Sequence, residues 1–192
     1  EDVWYGYELA WLNDKGKPVV AVAEFSFPCT SANIVESKSF KLYLNSFNQT
    51  KFSSWQQVES ALSADLSATA DAIANVKLFP VNNCPALALS ADNALCIDDL
   101  DVEINHYQLA PEILSTANRN QESQVEEYLV CHRLKSNCLI TNQPDWASIY
   151  INYRGKQICH KSLLKYLISF RQHNEFHEQC VERIFCDIQR FC

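Results

Sequence analysis

An internal repeat constrains the fold of this chain more than any other feature of its sequence. When the sequence is shifted by 123 residues, the stretch from 38 to 49 falls on 161 to 172, and seven of the twelve positions are identical. The repeated residues include polar ones such as Lys38 and Ser46. Two unrelated amphipathic helices would share apolar positions only, so the repeat favours duplication of a structural module.

The first half of the chain has the residue pattern of an α+β module. Alternating apolar residues over 5–12 and 19–27, joined by a turn signal at 13–16, predict a β-hairpin. Helical spacing then predicts helices over 37–47 and 54–73, and Ser53 with Gln56 forms a capping box for the second helix. Two further strands are predicted over 76–79 and 100–107, so the first module is expected to span 1–110.

The second half begins with the same pattern after a polar connector over 108–124. Strands are predicted over 125–134 and 146–153, and helices over 161–170 and 176–191. The second module is therefore expected to span 125–192 and to lack its last two strands, which implies a further C-terminal segment. The chain starts at Glu1 and contains no methionine, so we expect it to be less than a complete translation product.

Charge and composition exclude several classes of protein. The net charge of −7 argues against a general nucleic-acid-binding protein, which normally has a basic face. No apolar run approaches the ~20 residues that a membrane span requires. With only three glycines, the chain has neither of the glycine-rich phosphate loops, and a nucleotide cofactor would have to bind without them.

The nine cysteines indicate a reducing compartment. Their number is odd and they are scattered without a CxxC pair, which fits the cytosol better than a disulfide framework. The spacing of Cys131–His132 and Cys159–His160 does not match a zinc finger, so no metal site is expected. Most of the cysteines are expected to be small buried residues.

Three polar clusters are candidates for chemistry. The loop over 136–146 holds Cys138 and Asp145, but an ordinary thiol is mostly protonated at neutral pH and needs activation. The stretch over 173–180 holds His177 and Glu178, which could exchange protons and bind an amidine edge or could simply stabilise a helix start. Lys38 and Lys41 share one face of a predicted helix, whose free N–H groups would offer a phosphate site.

Together the three clusters resemble the motifs of the NADPH-dependent 7-cyano-7-deazaguanine reductases. The matching stretches are ESKSFKLY at 36–43, the Ser-Asn-Cys loop ending at Asp145, and Phe-His-Glu at 176–178, in the order of the two-module form. The resemblance covers nearly the whole chain. It implies an α+β fold of tandem tunnelling-fold (T-fold) modules, with antiparallel sheets and helix pairs packed on one face. The family continues past position 192 with an Arg-Gly-rich cofactor-binding segment.

The same resemblance implies an activity and a location. The family reduces the nitrile of 7-cyano-7-deazaguanine to 7-aminomethyl-7-deazaguanine with two NADPH, in queuosine biosynthesis for tRNA modification, in the cytoplasm. The nitrile carbon forms a thioimide with Cys138, Asp145 acts as general acid, and His177 assists proton transfer. The implied substrate-binding residues are Val35, Glu36, Ser37, Phe176, His177 and Glu178, and the implied cofactor-binding residues are Ser37, Lys38 and Lys41.

Two other functions fit the residues. A cysteine hydrolase would use Cys138, His177 and Asp145 as nucleophile, base and orienting group. A non-catalytic T-fold module would bind a purine or pterin without forming an adduct. In either case, exposed module edges predict a homodimer, with no direct nucleic-acid or membrane partner. If His177 lies beside Cys138, a reversible Cys138–Cys180 disulfide could switch the protein off.

Overall fold

The computed structural model describes residues 1–86, 93–117 and 124–192. It divides into two compact units, unit 1 (Glu1–Ala88) and unit 2 (Leu89–Cys192). Within the described residues, no helix is long and apolar enough to cross a membrane. Each unit combines a three-stranded sheet with two helices, which confirms the predicted α+β fold class.

Unit 1 is built from an antiparallel sheet and a pair of helices. Its strands are β1 (Asp2–Leu12), β2 (Pro18–Phe27) and β3 (Asn75–Phe79), arranged in the order β1-β2-β3. Its helices are α1 (Ser37–Ser46) and α2 (Trp55–Ala70). The predicted hairpin and both predicted helices are therefore confirmed. The core consists of residues from alternate strand positions and from the inward helix faces: Leu9, Trp11, Phe25, Phe40, Val58 and Leu62.

Unit 2 repeats this arrangement with a different third strand. It contains β4 (Leu95–Cys96), β5 (Gln124–Asn137), β6 (Pro144–Lys156), α3 (His160–Ser169) and α4 (His177–Phe191). The strand order is β4-β5-β6, in which β5 and β6 form an antiparallel hairpin and β4 pairs with β5 in parallel. Both predicted strands and both predicted helices of this half are confirmed.

The duplication seen in the sequence also appears in the three-dimensional structure. The residue range of α3 is that of α1 shifted by the length of the repeat. A 3-10 turn directly follows both of these helices, Phe47–Gln49 after α1 and Phe170–Gln172 after α3. A tyrosine in the first helix donates a hydrogen bond to an aspartate in the second helix of each unit. The pairs are Tyr43 to Asp65 at 2.6 Å and Tyr166 to Asp187 at 2.7 Å.

Two predictions about local structure are wrong. Residues 100–107 form no strand; a short strand forms earlier, at Leu95–Cys96, where its N–H and C=O groups can pair with β5. The cap of α2 lies one residue later than predicted, because the Ser54 hydroxyl accepts the N–H of Gln57 at 3.2 Å.

Residues after the first sheet pack into unit 2. Ile97, Leu100 and Leu109 belong to the second core, although the sequence placed residues up to 110 in the first module, and Leu114 of the predicted connector belongs to it as well. Apolar content alone does not indicate which of two similar cores a connecting segment joins. The limits 1–110 and 125–192 for the two T-fold modules, and the missing last strands of the second, stay predictions.

Candidate active site

The Cys138 loop joins the two long strands of unit 2 and consists of residues 138–143. Strands β5 and β6 end with Asn137 paired to Pro144. Inside the loop, the Cys138 N–H donates to the Gln143 carbonyl at 2.8 Å, and the Asn142 N–H donates to the Cys138 carbonyl at 2.9 Å. Asn142 has φ +54°, a left-handed conformation that Asn tolerates better than most residues. These bonds place a partly exposed thiol at the tip of a rigid hairpin.

The corresponding hairpin of unit 1 ends in a plain turn. There the Asn13 N–H donates to the Lys17 carbonyl at 3.0 Å, and the Gly16 N–H donates to the Asn13 carbonyl at 2.8 Å. Gly16 has φ +75° and so takes the place of Asn142. Cys138 is therefore the unit 2 residue equivalent to Asn13 of unit 1, and the two hairpins have the same backbone bonds at this position.

Asp145 and His177 lie close together beside this loop. Asp145 is the second residue of β6 and pairs with Ser136, two positions before Cys138. His177 is the first residue of α4, and its Nε2 is 3.8 Å from Asp145 Oδ2. This separation suits an ion pair but is longer than a direct hydrogen bond. The His177 side chain is 43% exposed and the Asp145 side chain is 33% exposed, so a bound molecule can reach both of them.

The start of α4 carries the rest of the Phe-His-Glu motif. Phe176 is the N-cap residue, and Glu178 lies in the first turn, where a carboxylate interacts favourably with the helix dipole. The Gln179 side chain accepts the Phe176 N–H at 3.4 Å, and the Cys180 N–H donates to the Phe176 carbonyl at 3.0 Å. Phe176, His177 and Glu178 are all partly exposed, as substrate-contacting residues must be.

Glu175 anchors α4 to the segment before it. Its carboxylate accepts two hydrogen bonds from Arg183, at 2.8 Å from Nε and 2.6 Å from Nη2, and Nε2 of His173 lies 2.9 Å away. The Arg183 guanidinium, together with His173, lowers the pKa of this carboxyl below its usual range. Glu175 therefore has a structural role, which is to hold Arg183 of α4 and His173 together.

The cysteines differ from the prediction that most of them are buried. Only Cys131 and Cys180 are buried, and none of the nine cysteines is in a disulfide. Burial raises the pKa of the Cys180 thiol to about 11, and its sulfur lies 4.0 Å from a carboxylate oxygen of Glu175. A protonated, buried thiol is a poor partner for thiol exchange. The Cys138–Cys180 disulfide stays a prediction.

In unit 1, Glu36 caps α1 with its own side chain. The carboxylate accepts the N–H groups of Lys38 at 3.0 Å and Ser39 at 2.7 Å, and also the Ser39 hydroxyl at 2.8 Å. These bonds lower the pKa of the Glu36 carboxyl. The prediction that the N–H groups at this helix start are free to bind phosphate is therefore wrong for the Lys38 and Ser39 groups, because an anion of the chain itself already occupies them.

The three predicted cofactor-binding residues line a single groove. Ser37, Lys38 and Lys41 border a cleft of about 880 Å³ between α1 and β1, together with Tyr5 and Tyr7. The Lys41 ammonium is 3.1 Å from Glu8 Oε2, in an ion pair that is mostly exposed. Two lysines and two aromatic rings suit a molecule with phosphates and a heterocycle, so the chemistry of this groove fits a dinucleotide.

The structure thus groups the predicted residues into two sets. Unit 2 contains Cys138, Asp145, Phe176, His177 and Glu178 around one hairpin end and one helix start. Unit 1 contains the other set: Val35, Glu36, Ser37, Lys38 and Lys41. Sequence reasoning missed Arg183, Lys135, Asn137 and Asn174, which support the Cys138 loop and the start of α4. Their only sequence signal is proximity to the motifs, and the bonds from Asn137 to Asn174 and from Lys135 to the Arg171 carbonyl join residues far apart along the chain.

Comparison with known proteins identifies the family. Residues 1–78 match the family described as nitrile reductase, 7-cyano-7-deazaguanine-reductase N-term, and residues 144–192 match the QueF-like protein family. The NADPH-dependent 7-cyano-7-deazaguanine reductase of Colwellia psychrerythraea is 70% identical over 195 residues, which cover 100% of this chain and 68% of that protein. The chain therefore belongs to the 7-cyano-7-deazaguanine reductase family, and both of its units carry the family's sequence.

Proposed function

We propose that this chain reduces the nitrile of 7-cyano-7-deazaguanine to the primary amine, with NADPH as reductant, through a thioimide on Cys138. The observation that carries the proposal is the grouping of the Cys138 loop, Asp145 and His177 at one hairpin end in a chain 70% identical to such a reductase. The comparisons do not favour the alternative of a cysteine hydrolase with the same three residues.

The first chemical step adds the thiol across the carbon–nitrogen triple bond. The Cys138 sulfur forms a bond to the nitrile carbon, and the nitrogen gains a proton, so that the adduct contains every atom of the substrate. Asp145 supplies that proton if its carboxyl is protonated when the substrate binds. A bound heterocycle would remove water from this partly exposed carboxyl, and such desolvation favours its neutral form.

His177 and Glu178 serve binding and proton balance. A carboxylate can accept two parallel N–H bonds from the amidine edge of a deazaguanine, and Glu178 is positioned for this role at the start of α4. His177, next to Asp145, can restore the proton that the acid has lost. Phe176 offers a ring surface for the heterocycle. We also propose that Val35, Glu36 and Ser37 bind substrate.

NADPH would supply the two hydrides that convert a thioimide into an amine, and we propose that Ser37, Lys38 and Lys41 hold it. The lysines provide the positive charge for its phosphates, while the N–H groups capped by Glu36 do not contribute. Between the two hydride additions the carbon–sulfur bond must break, which releases the Cys138 thiolate. Enclosure of the resulting imine would protect it from water.

Mass spectrometry of the intact chain tests the nucleophile. Incubation with the nitrile in the absence of NADPH should add the full mass of one substrate molecule to Cys138. Cys138→Ala should abolish the adduct, whereas Cys186→Ala, which removes an exposed thiol on α4, should retain it. An adduct that survives Cys138→Ala would refute the assignment. Consumption of two NADPH per amine formed then distinguishes a reductase from a hydrolase.

Asp145→Asn tests the acid. The variant cannot donate a carboxyl proton, so adduct formation should slow by about 100-fold, within the usual range for general acid catalysis. The substrate concentration that gives half the maximal rate should change little, because Glu178 and Phe176 remain. An unchanged rate would remove Asp145 from the mechanism.

We also propose a cytoplasmic homodimer with no direct nucleic-acid partner. Nine cysteines without a disulfide suit a reducing compartment, and a net charge of −7 disfavours contact with phosphate backbones. The outer edge of β1 has no paired strand among the described residues of unit 1, and an edge of this kind can pair with a second copy. Light scattering after size-exclusion chromatography measures the mass in solution, and a monomer would contradict the dimer.

A further inference from the structure

One side chain holds the Cys138 loop from both sides. The Asn174 amide Nδ2–H donates to Asn142 Oδ1 at 2.8 Å, and its Oδ1 accepts from the Asn137 Nδ2–H at 3.3 Å. Asn137 directly precedes Cys138, and Asn142 follows it by four residues. Asn174 therefore ties the start of the loop to its end, across the segment that carries the thiol.

The Lys135 ammonium determines which way these side-chain amides are oriented. The Lys135 ammonium donates to Asn137 Oδ1 at 2.5 Å and to the Arg171 carbonyl at 2.8 Å. An ammonium can only donate, so it holds the Asn137 oxygen toward itself and turns the Asn137 NH₂ group toward Asn174. The same order continues from Asn174 to Asn142. The Lys135–Asn137–Asn174–Asn142 relay is thus a directed chain of donors and acceptors, in which neighbouring bonds strengthen each other.

Backbone bonds hold the middle of the relay in register. The Asn137 N–H donates to the His173 carbonyl at 2.9 Å, and the Glu175 N–H donates to the Asn137 carbonyl at 3.1 Å. Asn174 lies between these two anchors. The backbone on both sides of Asn174 is therefore held in place, which keeps its side chain within reach of the loop.

Unit 1 shows that the fold does not require the relay. There the same two backbone bonds join Leu12 to Thr50 and Phe52, each at 2.9 Å. The positions of Asn174 and Asn142 are taken by Lys51 and Gly16, and Leu12 replaces Asn137, so these three amides are absent; the Asn13 side chain there accepts only the N–H groups of its own turn. An equivalent hairpin end forms in unit 1 without the amides, which occur only where the hairpin carries Cys138.

We propose that Asn174 is a positioning residue for the nucleophile, acting through the Lys135–Asn137–Asn174–Asn142 relay to hold Cys138 in the conformation that attacks the nitrile. This inference rests on the proposed function, because it takes Cys138 as the nucleophile. Its physical basis is orientation: a displacement of the reacting atom by ~1 Å can lower a rate by about 100-fold. A six-residue loop whose Asn142 has an unusual φ needs a tether to keep one conformation.

The test measures adduct formation on Cys138 without NADPH, by rapid mixing over a range of nitrile concentrations. Asn174→Ala removes both amide bonds. Asn142→Gly removes only the acceptor and keeps the left-handed φ, so it remains informative if Asn174→Ala fails to fold. Lys51→Ala is the matched control, because it truncates the side chain at the equivalent position of unit 1.

A positioning role predicts a split between rate and affinity. Both loop variants should lower the maximal rate of adduct formation by about 10- to 100-fold, while the half-saturating nitrile concentration changes by less than about 3-fold. Each rate is measured as a function of pH and compared at the maximum of its own profile, so an altered thiol pKa cannot mimic the effect. Lys51→Ala should leave both quantities unchanged.

Three results would overturn the proposal. The first is a wild-type rate in both loop variants. The second is an equal loss in Lys51→Ala, which would indicate general destabilisation. The third is an unchanged maximal rate with a weaker affinity, which would assign Asn174 to substrate binding. A wild-type chain that forms no adduct at all would reject the proposed function as well, so failure of the inference alone is distinguishable.

Discussion

Replacement of Glu175 by Gln should destabilise unit 2 in a pH-dependent way. The carboxylate is 13% exposed and accepts two bonds from Arg183 and one from His173. Hydrogen bonds to charged groups contribute about 1.5–3 kcal/mol each in favourable cases. Arg183 is 40% exposed and its charge is screened, and Gln can keep one acceptor bond, so we expect a loss of about 2 kcal/mol in the free energy of unfolding at pH 7.

The sign of the pH dependence follows from the lowered pKa. In the folded state, Arg183 and His173 favour the ionised carboxyl, so its pKa lies below that of the unfolded chain, about 4.3 for Glu. The stabilisation is complete above the unfolded pKa and disappears as the pH falls through the folded pKa. Glu175→Gln should therefore cost stability at pH 7 and progressively less in acid.

Urea denaturation followed by circular dichroism measures this effect at neutral pH and in acid. The transition of unit 2 is identified as the one that Leu167→Ala, a substitution in the core of that unit, displaces. Glu182→Gln, an exposed carboxyl of the same helix, is the matched control and should be close to neutral at both pH values. A loss for Glu175→Gln that stays the same in acid would refute the charge-based argument.

Two further pairs of variants compare packing, and the tyrosine pair consists of positions related by the duplication. Tyr166→Phe should lower the unfolding free energy by ~1–2 kcal/mol, and Tyr43→Phe by less, because Tyr166 is fully buried while its counterpart is half-buried. Both phenols have a raised pKa from burial and a neighbouring aspartate, so this stabilisation should be complete below pH about 10 and decline progressively as the pH rises further toward the folded pKa. Gly6→Ala should cost ~1 kcal/mol or more, because its Cβ would lie 3.1 Å from a buried ring. Gly155→Ala, whose Cβ would meet nothing within 4 Å, should not. Thermal unfolding measures all four, and equal effects within either pair would contradict the packing argument.

The sequence was sufficient for the fold class and the duplication. Alternating residues marked both hairpins, and the repeated Lys, Ser, Tyr and Phe positions aligned α1 with α3 residue by residue. Such patterns are local, because the period of apolar residues reflects backbone geometry within one element. The pattern also placed Cys138 between two strands and His177 near a helix start, as the structure has them, while Asp145 lies in β6 rather than in the loop.

What the sequence did not reveal depends on contacts between distant segments. It did not show that Leu95–Cys96 would pair with β5, or that Asn174 would connect Asn137 to Asn142. Hydrogen bonds of this kind depend on distances of a few tenths of an ångström between residues more than thirty positions apart. The sequence by itself therefore determined the fold class and the family, and it predicted which residues react. Only the tertiary structure decided which polar groups are already satisfied within the chain and which remain to bind and activate a substrate.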